Sequence, residues 1–123
     1  MPFQHTIDRA TSTAYVVATG EITLQSCLQV AHDLVSDPSF QPELDVLVDL
    51  SEAEWAPTSD EAFGVGQAIA QFQDRIRGRV VSVPRAQFER QARTAAMTAQ
   101  VNGFPIHVAP TLDDALVWLG LEA

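Results

Sequence analysis

Between Asp45 and Asp49 stand three consecutive apolar residues, Val46-Leu47-Val48, two of them β-branched. A short run without alternation suits a strand covered on both faces, as in the interior of a parallel sheet. A parallel neighbour requires a crossover of a dozen or more residues, usually a helix. The chain supplies one, because Thr58 with Glu61 three positions on is a capping-box pattern. It heads a segment whose apolar ridge is Val65, Ile69, Phe72 and Ile76. This strand-loop-helix unit confines the chain to α/β architectures. In open sheets of that kind, binding and chemistry gather at the carboxyl ends of the strands.

The remaining pattern extends the alternation. Phe3 to Ile7 reads as a short edge strand, and Ala14 to Thr19 as a clearer strand closed by Gly20. Thr23 is placed as the N-cap of a helix with apolar positions Leu24, Cys27, Leu28, Ala31, Leu34 and Val35, which share one helical face. Asp37-Pro38 stops it, since the residue before proline disfavours the helical region. Gly64, Gly66, Ala68 and Ala70 make the second helix slim, which suits close packing on a sheet. Arg79 to Val83 is the next buried strand, ended by Pro84. A third helix is predicted from about Ala86 to Val101, with Phe88, Ala92, Ala95, Ala96 and Ala99 inward, ended by Asn102-Gly103. Pro105 to Ala109 is the last strand. Thr111 then caps a helix with Leu112, Ala115, Leu116 and Leu119 inward. The order is β-β-α-β-α-β-α-β-α, an α/β fold of mostly parallel sheet and four helices. The first two strands are joined too closely for a crossover, so they should pair antiparallel at one edge.

At 123 residues the chain is expected to form a single domain, residues 1–123. No apolar run reaches the roughly 18 residues of a membrane span, so no membrane insertion is expected. Met1-Pro2-Phe3-Gln4-His5 lacks the basic and apolar regions of a signal peptide, and Cys27 stands alone. A cytoplasmic location is the resulting expectation. A net charge of −9 argues against nucleic acid as a partner. The charge is unevenly placed: twelve of the sixteen acids precede Arg75, and six of the seven basic residues, all arginine, lie from Arg75 to Arg93.

Three pieces of sequence carry a family resemblance. They are Gly20-Glu21-Ile22-Thr23-Leu24, then Val46-Leu47-Val48-Asp49-Leu50, and finally Thr111-Leu112-Asp113-Asp114-Ala115-Leu116-Val117-Trp118-Leu119-Gly120. In this order and spacing the chain resembles the STAS domain of bacterial anti-sigma factor antagonists of the SpoIIAA type. It is more similar still to the small, uncharacterised bacterial SpoIIAA-like proteins, related in fold to CRAL-TRIO lipid-binding domains. The resemblance implies that the turn after the central strand, Pro57-Thr58-Ser59-Asp60, occupies the place of an Asp-Ser-Ser-Gly phosphorylation switch. Two hydroxyls persist there, but Pro57 and Asp60 replace the flanking aspartate and glycine. Asp60 and Glu61 would also repel a phosphate.

Thr58 and Ser59 are therefore the candidate partner-binding or phosphorylation residues, with helix capping as the competing role for Thr58. Trp55 and Asp60 flank them, and Trp55 is expected to pack over the sheet end or to anchor a contact. Arg85, Arg90 and Arg93 form the candidate anion site, because guanidinium recognises carboxylate and phosphate with a planar fork. Cys27 lies on an apolar helix face, where a thiol acts as a small hydrophobe. Asp49 should fix the following loop by hydrogen bonds. Gly64-Val65-Gly66 lacks the further glycine and the lysine of a phosphate loop. His5, His32 and His107 have no metal-ligand spacing, so neither metal nor cofactor is expected. No catalytic constellation emerges. The leading expectation is a non-catalytic interaction module acting through Trp55 to Asp60 on an unknown protein partner, with a homodimer compatible. The alternative is a carrier or sensor of a small apolar or amphipathic ligand.

Overall fold

The computed structural model describes residues 2–121. Five strands form one sheet in the order β1-β2-β3-β4-β5. They are β1 (Phe3–Asp8), β2 (Thr13–Glu21), β3 (Asp45–Glu54), β4 (Val80–Pro84) and β5 (His107–Val108). The helices are α1 (Leu24–Ser36), α2 (Ser59–Ala70), α3 (Glu89–Val101) and α4 (Leu112–Trp118). The β1–β2 pair is antiparallel and every other pair is parallel, as the spacing of the elements requires. Among the described residues no helix is long and apolar enough to cross a membrane.

The two faces of the sheet are dressed differently. Helices α1, α2 and α3 cover one face, where Ala14, Val16, Val46 and Val80 meet Leu34, Val35, Ala70 and Ala99. The short α4 covers part of the other, packing Ala115 and Leu119 on Leu47, Val81 and Val83. Arg79 holds α4 down: its guanidinium donates to the carbonyls of Trp118 and Leu119 at 3.2 Å each and pairs with Asp45 at 2.9 Å. A cation at those terminal carbonyls also complements the helix dipole. Trp118 is 37% exposed and stacks on His107 at 4.4 Å between ring centroids.

Several boundaries depart from the sequence reading. Helix α2 stops at Ala70, well short of Phe72 and Ile76. Gln71, Phe72 and Gln73 donate three residues back, to Ala68, Ile69 and Ala70, so the chain tightens into turns. Ile76 still reaches the core from that turn. Residues Ala86–Phe88 form a 3-10 turn ahead of α3. The last strand keeps only His107 and Val108 in the ladder, since Pro105 has no donor to offer. Leu112 opens the first turn of α4 and is 42% exposed, against the expected inward position.

Gly66 explains how α2 is slim and to what end. A Cβ there would lie 2.5 Å from the carbonyl oxygen of Ala95 and 2.7 Å from Cβ of Thr98. The small face of α2 thus serves a close approach to α3, where the sequence suggested close packing on the sheet.

Candidate functional site

Strands β2 and β3 run on past the end of β4, pairing Thr19, Gly20 and Glu21 with Glu52, Ala53 and Glu54. Ile22 N–H then donates to the carbonyl of Glu54 at 3.1 Å. This raised lip places Ile22 and Trp55 together at the carboxyl end of the sheet, in one apolar cluster with Ala62, Val65, Ala92 and Ala95. Trp55 is only 8% exposed, so it packs over the sheet end as its position suggested.

Thr58 follows in extended backbone and caps α2. Its Oγ1 accepts from the Glu61 N–H at 3.2 Å, and the Glu61 carboxylate accepts from the Thr58 N–H at 3.0 Å. The Thr58 N–H, and secondarily its hydroxyl, holds the Glu61 carboxyl below its ordinary range. The lowered folded value means this stabilisation is present above the usual carboxylate pKa and is lost as pH falls through the folded one. Thr58→Ala is expected to cost about 1 kcal/mol, read as a lowered urea midpoint. Ser59 is the first helical residue, and it and Asp60 are exposed.

Asp60 and Glu61 border a cleft of about 730 Å³, together with Glu21, Glu54, Arg85 and Phe88. Four acidic residues and one arginine thus line it. Arg85 is itself engaged, donating from Nε to the carbonyl of Ser51 at 3.4 Å and lying 5.9 Å from the Phe88 ring centroid. Arg93 pairs with Glu89 on its own helix at 3.5 Å, and Arg90 is exposed on α3. The three arginines therefore do not converge, and only Arg85 lines the cleft. Asp49 accepts from the Ser51 N–H at 3.0 Å and its hydroxyl at 2.6 Å. Because β3 runs on to Glu54, both residues lie within the strand and Asp49 does not fix the loop that follows, contrary to the sequence expectation. Among the described residues no three His, Cys, Asp or Glu side chains gather in a metal-binding group.

Beneath the cleft, between the sheet and helices α1 to α3, lies an apolar cavity of about 140 Å³. Its walls include Val48, Leu34, Ile69, Ala95 and Phe104, and Ser82 is the one hydroxyl among them. Val48 and Ser82 pair in register at the middle of the two central strands. Both remain only half-buried, although strand centres under a helical layer normally lose all their accessible surface. The cause is the small-residue surface of the layer above: Ala62, Gly66 and Ala70 on α2, with Ala92, Ala95, Ala96 and Ala99 on α3. These residues bring the two helices together and leave the space over Val48 and Ser82 unfilled. Cys27 lines the cavity, and burial pushes its thiol up to about 11. It is a neutral wall group, not a nucleophile. Ile22, Trp55 and Val65 line both the cavity and the cleft.

The cavity escaped the sequence reading. Its one signal was the run of alanine and glycine on the inner faces of α2 and α3, which fits equally well with tight packing.

No protein-family model matches the sequence, and no curated protein matches it. Among solved structures, the chain is similar to an uncharacterised protein of the DUF3478 family from Shewanella loihica PV-4, which has a SpoIIAA-like fold. The sequences are 20% identical, and the match covers 95% of this chain and 93% of the other with a TM-score of 0.61. The fold is therefore SpoIIAA-like, as the resemblance implied. Likeness at this level carries architecture alone, and activity must be argued from the site.

Proposed function

We propose that this SpoIIAA-like domain is a non-catalytic binding module that holds a small apolar molecule between its sheet and helices α1 to α3. The observation that supports this reading is the apolar cavity of about 140 Å³ against Val48 and Ser82. A cavity of about 150 Å³ lined by leucine, isoleucine and phenylalanine stays dry and takes benzene or xenon. The occupant is therefore of that size, an aromatic or branched molecule of about six to ten heavy atoms, far smaller than a membrane lipid. The side chains with reactive potential nearby have structural engagements. Thr58 caps α2, Ser51 is bound to Asp49, and the Cys27 thiol is neutral.

A toluene titration followed by methyl NMR tests the reading. Saturable shifts are expected at Val30, Leu34, Val48, Ile69 and Ile106, all cavity-lining, with a Kd on the order of 0.1–1 mM. Absence of such shifts up to the solubility limit of toluene, and under pressurised xenon, would sink it.

A second reading concerns the cleft. The exposed Ser59 and Asp60 beside Trp55, with Leu24 43% exposed across the cleft, favour it as a contact surface for a protein partner.

A further inference from the structure

We infer that the cavity is filled from the cleft by movement of Trp55, and that it admits small apolar molecules that are uncharged or carry a positive end, not carboxylates. This inference rests on the binding reading above.

The route follows from the walls. Below, the cavity is bounded by hydrogen-bonded strands, above by helices α1, α2 and α3, and at its far end by Ile76, Phe104 and Ile106 on connecting segments. Opening those sides would break ladders, a helix–helix contact as close as Gly66 on Ala95, or the backbone bonds that tie Ile76 to Phe72 and Phe104 to Ala99. Towards the cleft, by contrast, the partition is side chains alone: Ile22, Trp55 and Val65 border both spaces. Ile22 follows the ladder directly, tied to Glu54, and Val65 is inside α2. Trp55 stands on the connection from β3 to α2, where among the described residues Ala56 and Pro57 take part in no backbone hydrogen bond. Its indole is the part of the wall that can move at least cost.

Selectivity follows from the mouth. Glu21, Glu54, Asp60 and Glu61 border the mouth with Arg85 as the one basic residue, and its guanidinium already donates to Ser51. A mouth with excess negative charge concentrates cations and depletes anions. A ligand anion finds no cationic partner further in, since the polar groups among the lining side chains are the Ser82 hydroxyl, the Trp55 indole N–H and the neutral Cys27 thiol.

Three probes sharing one phenyl group test both parts. They are toluene, 3-phenylpropylammonium and 3-phenylpropanoate, titrated into the whole protein at low ionic strength. The two ions carry similar desolvation costs, so their difference reports the mouth. The cation should bind at least about tenfold more tightly than the anion. That gap should narrow in 0.5 M salt, where the Debye length falls to about 4 Å. In the wild type, toluene should shift the Trp55 indole N–H together with the cavity methyls. Toluene exchange should be at least about tenfold faster in Trp55→Ala, with gating in the microsecond-to-millisecond range. Trp55→Phe keeps an aromatic wall and should show a smaller acceleration, which guards against Trp55→Ala failing to fold.

Methyl shifts without any response at Trp55, or exchange unchanged in Trp55→Phe, would overturn the route and leave the binding module standing. An anion binding as tightly as the cation would overturn the charge rule. If no probe shifts any cavity methyl, the binding module itself fails.

Discussion

Gly66→Val is expected to destabilise the protein by about 3 kcal/mol. The Cβ of any residue at this position would lie 2.5 Å from the Ala95 carbonyl oxygen, 2.7 Å from Thr98 Cβ and 3.1 Å from Ala99 N. Two of these neighbours are backbone atoms within α3, so neither can rotate away. The helices must separate, and the cluster that includes Val65, Ala92 and Ala95 must loosen. Replacing glycine inside a helix ordinarily stabilises it by up to about 1 kcal/mol, an effect that opposes the clash without matching it. Valine adds two further methyls with poorer helical propensity. With an m-value near 1–1.5 kcal/mol per molar urea for a domain of this size, the urea midpoint should fall by about 2–3 M. A variant as stable as the wild type would show that α2 and α3 do not meet at Gly66.

Ser82→Val is expected to do the opposite, stabilising the protein while abolishing most ligand binding. Ser82 sits mid-strand beside Val48 and borders the cavity. Among the described residues its hydroxyl takes part in no side-chain hydrogen bond, so its removal leaves no partner stranded. Valine suits a strand and carries one methyl more into empty space. At roughly 24 cal/mol per Å³, a void of about 140 Å³ costs roughly 3 kcal/mol. Filling part of it should return about 1 kcal/mol, raising the urea midpoint by about 0.7–1 M. The remaining space should no longer fit toluene, lowering its affinity at least about tenfold, or about 1.4 kcal/mol. Greater stability with lost binding is the signature of a site kept open at the expense of packing. Lower stability would mean that the hydroxyl satisfies a buried group, and the cavity would lose its standing as a binding site.

Much of the candidate site was legible before any fold was known. The capping box of Thr58 and Glu61 spans three residues, so spacing alone announces it, and the structure reproduces it. The same holds for the placement of Trp55 over the sheet end, since it follows directly on β3. The arginine group was misleading for the reason that these succeeded. Arg85, Arg90 and Arg93 are near in sequence, but Arg85 precedes a 3-10 turn and the other two ride α3, whose rotation sends Arg93 back to Glu89. Nearness along the chain does not place side chains in one site once a turn and a helix intervene.

The sequence by itself determined the elements, their order, the antiparallel first pair and the helix caps. Each depends on periodicity within one element, on connection length, or on a hydrogen bond over three residues. Only the tertiary structure decided that the alanines and glycines of α2 and α3 turn toward each other, leaving a cavity over Val48 and Ser82 with Trp55 as the wall between it and the cleft. Small residues announce that two surfaces can approach closely, but they do not say which two. An empty volume belongs to no residue, since it is set by distances between elements brought together only by folding.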